Sequence, residues 1–261
     1  MKAQVQVEIL PDLTTISRRA AEIFVSLARE SISERERFVV ALSGGATPKK
    51  FYSLLGSQPY RDEIDWSSIH FFWADERCVP REDEASNFKL AFDNLLSKIP
   101  VPGRNIHRIK GEKGPDLGAR DYEGKIRNFF RNSQSPGFDL IVLGMGADGH
   151  TASLFPGSEA LHETRRYAVP LLLAKIGLDR ITLTLPILNN ASQVLFLVSG
   201  LSKASAVESV LEKGERGEPL PAALVRPLRG SVTWLIDEEA ASGLPKDSQR
   251  TEGLVQRKNE P

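Results

Sequence analysis

The sequence contains a single cysteine, Cys78, among 261 residues. One cysteine forms no internal disulfide and no cysteine-rich metal site, and it fits a reducing compartment. An excess of one charge is also missing: 34 Lys and Arg balance 34 Asp and Glu, so the formal net charge is zero. Nothing in that balance points to nucleic acid or to an anionic membrane, and any preference for a negative ligand has to come from local geometry. Long hydrophobic runs are absent as well. Residues 5–10 alternate with polar side chains and are too short for a signal peptide or a membrane span. The expectation is a soluble, cytoplasmic protein.

With 41% hydrophobic and 26% charged residues, the chain has the balance of a folded domain with ample core. Residues 4–10 alternate like an edge strand. Asp12 and Thr15 offer helix caps, and residues 16–32 place Ile16, Ala20, Ile23, Phe24 and Leu27 on one helical face. Residues 38–42, 69–73, 140–143, 194–198 and 232–236 are apolar runs of strand length, as expected of strands covered on both faces. Residues 106–109 and 181–186 are further strand candidates. Ser86-Asn87 begins a helix carrying Phe88, Ala91, Phe92, Leu95 and Leu96. Helical spacing also runs over 119–130, from the turn at 200–203 to 211, and over 222–225. The Gly/Pro-rich stretch 214–221 reads as a loop, and from about Gly243 the chain has little to bury. The pattern predicts an α/β fold, a doubly wound and mostly parallel sheet with helices on both faces. A single domain covers residues 1–243, followed by a polar tail at 244–261.

The stretch Phe138-Asp-Leu-Ile-Val-Leu-Gly-Met-Gly-Ala-Asp-Gly-His-Thr-Ala-Ser-Leu-Phe-Pro-Gly157 organises the rest. A buried strand breaks into Gly144, Gly146 and Gly149, with Asp148 and His150 flanking the last glycine. An acid and an imidazole are thereby delivered to the carboxyl edge of the sheet, where open α/β sheets bind their ligands. Gly144-x-Gly146-x-x-Gly149 also spells a dinucleotide fingerprint. Pro156-Gly157 stops the helix that motif needs, however, and Arg165-Arg-Tyr-Ala-Val-Pro170, twenty residues on, carries no acid. No nicotinamide or flavin cofactor is expected.

Ser43-Gly-Gly-Ala-Thr-Pro48 joins a strand to a helix, with Thr47 as the expected cap and Pro48 in the first turn. Two readings stand. The free amides and helix dipole form a phosphate cradle, or the glycines serve only the dihedrals of a tight turn. It is not a Walker loop, because Gly-Lys-Ser/Thr is missing. Asp75, Glu76 and Arg77 follow another strand and form either a solvated loop or a wall of the crevice. His150 is either an exposed turn residue or a general base, for which an imidazole's intrinsic pKa near 6.5 is suited. His70 reads as structural, while His107 and His162 have no motif around them. No serine sits in a nucleophile elbow: Ser43 lacks the first glycine and Ser153 lacks both. Cys78 reads as a passive thiol. The acidic run at 81–84 lacks histidine and calcium-loop spacing, so no metal is expected.

Taken together, Ser43-Gly-Gly-Ala-Thr-Pro48, Trp73-Ala-Asp-Glu-Arg77, Ser86-Asn87, the Gly144–Gly157 stretch, Arg180-Ile-Thr-Leu-Thr184, Gly200-x-x-Lys203-Ala204 and Pro221-Ala222 resemble the 6-phosphogluconolactonase family. Asp148-Gly149-His150 and Arg77 set the chain apart from the related glucosamine-6-phosphate deaminases, which have Asn-Gly-His and favour Asp-Glu-Tyr. The resemblance implies a Rossmann-like sheet of the sugar-phosphate isomerase/deaminase type. It implies hydrolysis of 6-phospho-D-glucono-1,5-lactone to 6-phosphogluconate, in the oxidative pentose phosphate pathway. The partner implied is a small sugar-phosphate lactone rather than nucleic acid or membrane, with the protein a monomer or small homo-oligomer. His150 would be the general base. Asp148 would orient the imidazole or hold a sugar hydroxyl, and Arg77, with amides of the glycine turn, would meet the oxyanion or the phosphate. Ser43, Gly44, Gly45, Thr47, Asp75, Gly146, Arg180 and Lys203 would bind substrate. A deaminase-like enzyme and a non-catalytic sugar-phosphate sensor are the alternatives.

Overall fold

Asp12 starts the first long helix: its carboxylate accepts the Thr15 amide at 2.8 Å, which satisfies an otherwise orphaned donor. In this computed structural model, which describes residues 4–131, 133, 136–173, 177–212 and 219–245, that helix is α1 (Leu13–Arg35). It follows strand β1 (Gln4–Leu10). Next come β2 (Phe38–Leu42), α2 (Ala46–Leu55), β3 (Ile69–Trp73), β4 (Asp75–Arg77), α3 (Asn87–Asn94), α4 (Pro115–Phe129) and β5 (Leu140–Leu143). The chain continues through β6 (Ala168–Leu171), β7 (Arg180–Leu183), α5 (Leu185–Leu188), β8 (Gln193–Val198), α6 (Ala204–Leu211) and β9 (Ser231–Asp237).

Six strands form one parallel sheet in the order β1-β9-β8-β5-β2-β3. The apolar runs are continuous because both faces are covered. Along β3, Phe71 packs on Trp66, which stacks in turn on Phe24 of α1. Its neighbour Phe72 faces the opposite layer and meets Tyr122 and Phe129 of α4. Both phenylalanines are fully buried, and each contributes roughly 1.5–3 kcal/mol over an exposed ring. The strand order reverses between β2 and β5: from β2 the chain moves outward to β3, and from β5 it moves the other way to β8. That switch point is where the doubly wound architecture opens a crevice at the carboxyl ends of the strands.

A second, antiparallel sheet of order β4-β7-β6 was not foreseen from the sequence. Residues 181–186 do begin as a strand, but in this small sheet, and Leu185 already opens α5. The small sheet hangs from the main one through Ala74, whose amide donates to Leu42 O at 2.8 Å and whose carbonyl accepts from Leu183 N at 2.7 Å. The expected strand at 106–109 does not form. Ile106 makes one isolated bridge to Phe71, and the chain then turns into the stack of His107 on Phe72. Phe92, expected on the buried face of its helix, is 43% exposed, because the inward positions of α3 are taken by Asn87 and Ala91. Residues 214–218 of the expected loop and 246–261 of the expected tail lie outside the described residues, and Leu244 is buried.

His70 and His107 form a half-buried pair, Nδ1 to Nε2 3.2 Å apart. Burial pulls both below the ordinary imidazole value, His107 to about 4. A depressed folded pKa means that the unfolded chain takes up protons first as pH falls, so this pair costs stability between about pH 6.5 and 4. Glu76 works in the opposite sense, since burial raises its carboxyl to about 7. The histidine contribution is therefore best isolated by difference. Relative to wild type, His107→Phe is expected to gain about 1–2 kcal/mol between pH 7 and pH 4, after allowance for solvent screening of a partly exposed ring. Urea titrations of the two proteins at both pH values check this, and a pH-independent difference rules it out.

Candidate active site

Loops at the carboxyl ends of β2, β3, β5 and β8 converge on the switch point. After β5, the chain locks itself into a compact turn. Thr151 Oγ1 donates to Gly144 O at 2.8 Å, Gly146 N to His150 O at 2.8 Å, and Gly149 N to Gly146 O at 3.0 Å. Gly149 has φ +79°, a conformation that L side chains rarely adopt, and a Cβ there would lie 2.6 Å from Leu220. These bonds consume the amides of Gly146 and Gly149. The glycine turn therefore offers fewer free donors to an oxyanion than its sequence suggests.

Asp148 and His150 face one another across this turn. His150 Nδ1 lies 2.6 Å from Asp148 Oδ1, and the same oxygen accepts the His150 amide at 3.2 Å. An ionised carboxylate only accepts, so Nδ1 carries the proton and the Nε2 lone pair is left for another partner. Partial burial works to raise the Asp148 carboxyl, but the hydrogen bonds from His150 outweigh it and hold the group below its usual value. The imidazole is 31% exposed, so it is open to a ligand rather than sealed in the core. Its face packs on Phe155, with centroids 4.6 Å apart.

Beyond Phe155 lies a cationic pair. Arg77 of β4 and Arg180 of β7 are register partners in the small sheet, and the Arg180 guanidinium carbon sits 5.9 Å from the Phe155 centroid. Burial, and then the neighbouring Arg77 charge, pull Arg180 below the ordinary guanidinium value. Arg77 Nη1 donates to Ala85 O at 2.6 Å. The Nε atoms of both arginines are buried without a hydrogen-bond partner among the described residues.

Asp75 and Glu76 form neither a solvated loop nor an open wall of the crevice: they are 4% and 2% exposed. Glu76 accepts the amides of Asn87, Phe88 and Arg77 at 2.7–2.8 Å and the Ser86 hydroxyl at 3.1 Å, which ties β4 to the first turn of α3. Asp75 Oδ1 accepts from Asn87 Nδ2 at 3.0 Å, and Oδ2 accepts from Ser153 Oγ at 2.6 Å. Asn87 also fills the space above Gly44, where a Cβ would meet its Oδ1 at 1.8 Å.

At the end of β2 the structure redistributes the expected roles. Ser43 is buried: its hydroxyl donates to Val142 O at 2.8 Å and its amide to the Tyr52 hydroxyl at 3.1 Å. It pins β2 to β5, its carbonyl accepts from Tyr52, and it has no donor left for an anion. Thr47 is not the helix cap. Gly45, at φ +108°, takes that position without a side-chain bond, and Thr47 lies inside the first turn of α2. Free donors for an anion here are the first-turn amides of α2, beside the exposed Gly45. Lys203 ends the turn Leu201–Lys203 after β8, on the other side of β5.

The structure thus gathers His150, Asp148, Gly146, Arg77, Arg180 and Asp75 around Phe155 and the 148–154 loop, with Gly44, Gly45 and Thr47 on the adjoining strand end and Lys203 on the next. Along the sequence Asn87 reads as a helix start and Ser153 as a serine outside any nucleophile elbow, and Phe155 carries no signal of its own. The single available signal was that all three lie within the conspicuous motifs.

Residues 11–234 match the family described as glucosamine-6-phosphate isomerases/6-phosphogluconolactonase. The chain is 40% identical over 233 residues to 6-phosphogluconolactonase 3, chloroplastic, of Arabidopsis thaliana, covering 86% of this chain and 70% of that one. Among solved structures, the devB protein superposes with a TM-score of 0.85 at 35% identity, covering 92% of this chain and all of the other. The 6-phosphogluconolactonase of Trypanosoma brucei does so with a TM-score of 0.81 at 26% identity, covering 93% of this chain and all of the other. The match runs from α1 into β9 and takes in the glycine turn and both arginine-bearing strands, and the chain belongs to the glucosamine-6-phosphate isomerase/6-phosphogluconolactonase family.

Proposed function

We propose that this chain hydrolyses 6-phospho-D-glucono-1,5-lactone to 6-phosphogluconate, with His150 as general base. The observation that carries the reading is the 2.6 Å contact between Asp148 and His150 Nδ1 on a ring open to ligand. It leaves the Nε2 lone pair as a basic site on a ring that shares Phe155 with Arg180. Relatives named as lactonases support the choice of substrate.

In this mechanism Nε2 takes a proton from a water whose oxygen attacks the lactone carbonyl carbon. The C1–O bond to the new hydroxyl forms and the carbonyl electrons move onto oxygen. The tetrahedral oxyanion then collapses, the bond from C1 to the ring oxygen breaks, and the imidazolium returns its proton to that oxygen. Proton transfer of this kind contributes on the order of 10²–10⁴-fold. Asp148 orients the ring and steadies its charged form rather than holding a sugar hydroxyl. With the Gly146 and Gly149 amides already bonded, charge on the substrate falls mainly to the arginines, to Lys203 and to the first-turn amides of α2. The phosphate is the handle, and this cluster explains how a chain of zero net charge selects an anion.

A pH-controlled assay on freshly generated lactone, with spontaneous hydrolysis subtracted, is expected to show acid release proportional to enzyme. Ammonia release from glucosamine 6-phosphate would replace this reading with a deaminase. Binding of 6-phosphogluconate without turnover would replace it with a sensor.

A further inference from the structure

Arg180 has a carboxylate within reach that it does not grip. Its Nη1 stands 4.0 Å from Asp75 Oδ2, at the outer limit of an ion pair, although both side chains are largely or wholly withdrawn from water. A buried guanidinium beside a carboxylate ordinarily closes to a hydrogen-bonded pair. Here both carboxylate oxygens are taken by neutral donors instead, Oδ1 by Asn87 and Oδ2 by the Ser153 hydroxyl. Ser153 is fully buried, and its amide donates to Thr182 Oγ1 at 3.2 Å, so the residue is anchored through its backbone as well as through the hydroxyl. The outcome is a pair of register-matched arginines, each with an unpartnered buried Nε among the described residues. Unpaired guanidinium donors in a half-buried setting suit a tetrahedral oxyanion such as a phosphate monoester.

We propose that Ser153 is a positioning residue: by occupying Asp75 it keeps Arg180 from being neutralised internally and leaves the Arg77–Arg180 pair open to the phosphate of the substrate. The inference rests on the sugar-phosphate reading of the site and adds to it the residue that keeps Asp75 from closing on Arg180.

The test is Ser153→Ala in the full-length protein. Without the hydroxyl, Asp75 Oδ2 loses its neutral partner and turns to Arg180. The dissociation constants of inorganic phosphate and of 6-phosphogluconate, read by calorimetry, are expected to rise about tenfold, a loss of about 1.4 kcal/mol. KM for the phosphorylated lactone should rise in parallel with kcat within about twofold, and KM for unphosphorylated glucono-1,5-lactone should stay unchanged. A merely structural serine would lower the melting temperature without that split between the two lactones. Unchanged phosphate affinity in a folded Ser153→Ala protein, or a loss confined to kcat, overturns the proposal while leaving the lactonase reading standing. Absence of phosphate and 6-phosphogluconate binding in the wild type overturns both. If the alanine variant does not fold, Ser153→Cys, nearly isosteric and a weaker donor, is expected to show the same shift at an intermediate size, and wild-type affinity in that variant counts against the proposal.

Discussion

His150→Ala is expected to lower kcat for the phosphorylated lactone by about 10²–10⁴-fold while leaving the affinity for 6-phosphogluconate within a few-fold of wild type. The asymmetry follows from the geometry. The imidazole is the one base at the crevice whose free nitrogen is set by a neighbour, because Asp148 holds Nδ1 at 2.6 Å. The charges that would grip the product sit elsewhere, on the arginine pair beyond Phe155 and on Lys203. Removing the ring deletes the proton acceptor and opens a small space beside Phe155, but it leaves those cations in place. Steady-state rates with spontaneous hydrolysis subtracted, set beside calorimetric titration with product, measure the two halves separately. An unchanged kcat removes His150 from the mechanism, and a loss of product affinity as large as the loss of rate makes it a binding residue instead.

Gly146→Ala is expected to cost nearly as much activity as removing the imidazole itself, with a change in melting temperature of only a few degrees. A Cβ on residue 146 would lie 2.1 Å from His150 Nδ1, 2.3 Å from its Cε1 and 2.4 Å from Asp148 Oδ1. Those distances are far inside van der Waals contact, and all three atoms belong to the aligned acid–imidazole pair. The backbone at Gly146 is not in the left-handed region, so alanine is conformationally permitted there. The steric load therefore falls on side chains that are partly exposed and free to swing outward, which protects the fold while misplacing the base. A displacement of about 1 Å at a reacting group can cost on the order of 10²-fold. Gly144→Ala is the internal control. Its nearest contact would be Leu197 O at 3.9 Å, so it should leave kcat within about twofold. Equal activity in both variants would falsify the claim that Gly146 is reserved for the His150 ring.

Much of the architecture was readable along the chain. Residues 38–42 are apolar at every position, and residues 69–73 at all but His70, because the sheet is covered on both sides, and such runs need no partner to be recognised. Asp12 and Ser86 announce helix starts through purely local bonds to amides three residues on. Where the sequence misled, the fold overruled a local preference. Thr47 has the chemistry of a cap, but α2 already begins at Ala46, and Gly45 takes the cap position without a side-chain bond. Asp75 and Glu76 look like solvent-facing charges, yet the ends of α3 and of the 148–154 loop supply enough donors to bury them. Glu76 keeps the cost of that burial as a carboxyl raised to about 7.

The sequence by itself determined the six strands of the main sheet, that an acid and an imidazole leave one of them on a glycine turn, and that the chain has no net charge with which to attract an anion. Those features depend on residues within a few positions of one another, where spacing and backbone preference suffice. Tertiary structure alone decided that Ser43 turns inward to Val142, 99 positions away, that Ser153 occupies Asp75 across 78 positions, and that Arg77 and Arg180 stand side by side. Such pairings form only when the sheet closes and water leaves, because a buried polar group then has to find whichever partner the fold brings within reach.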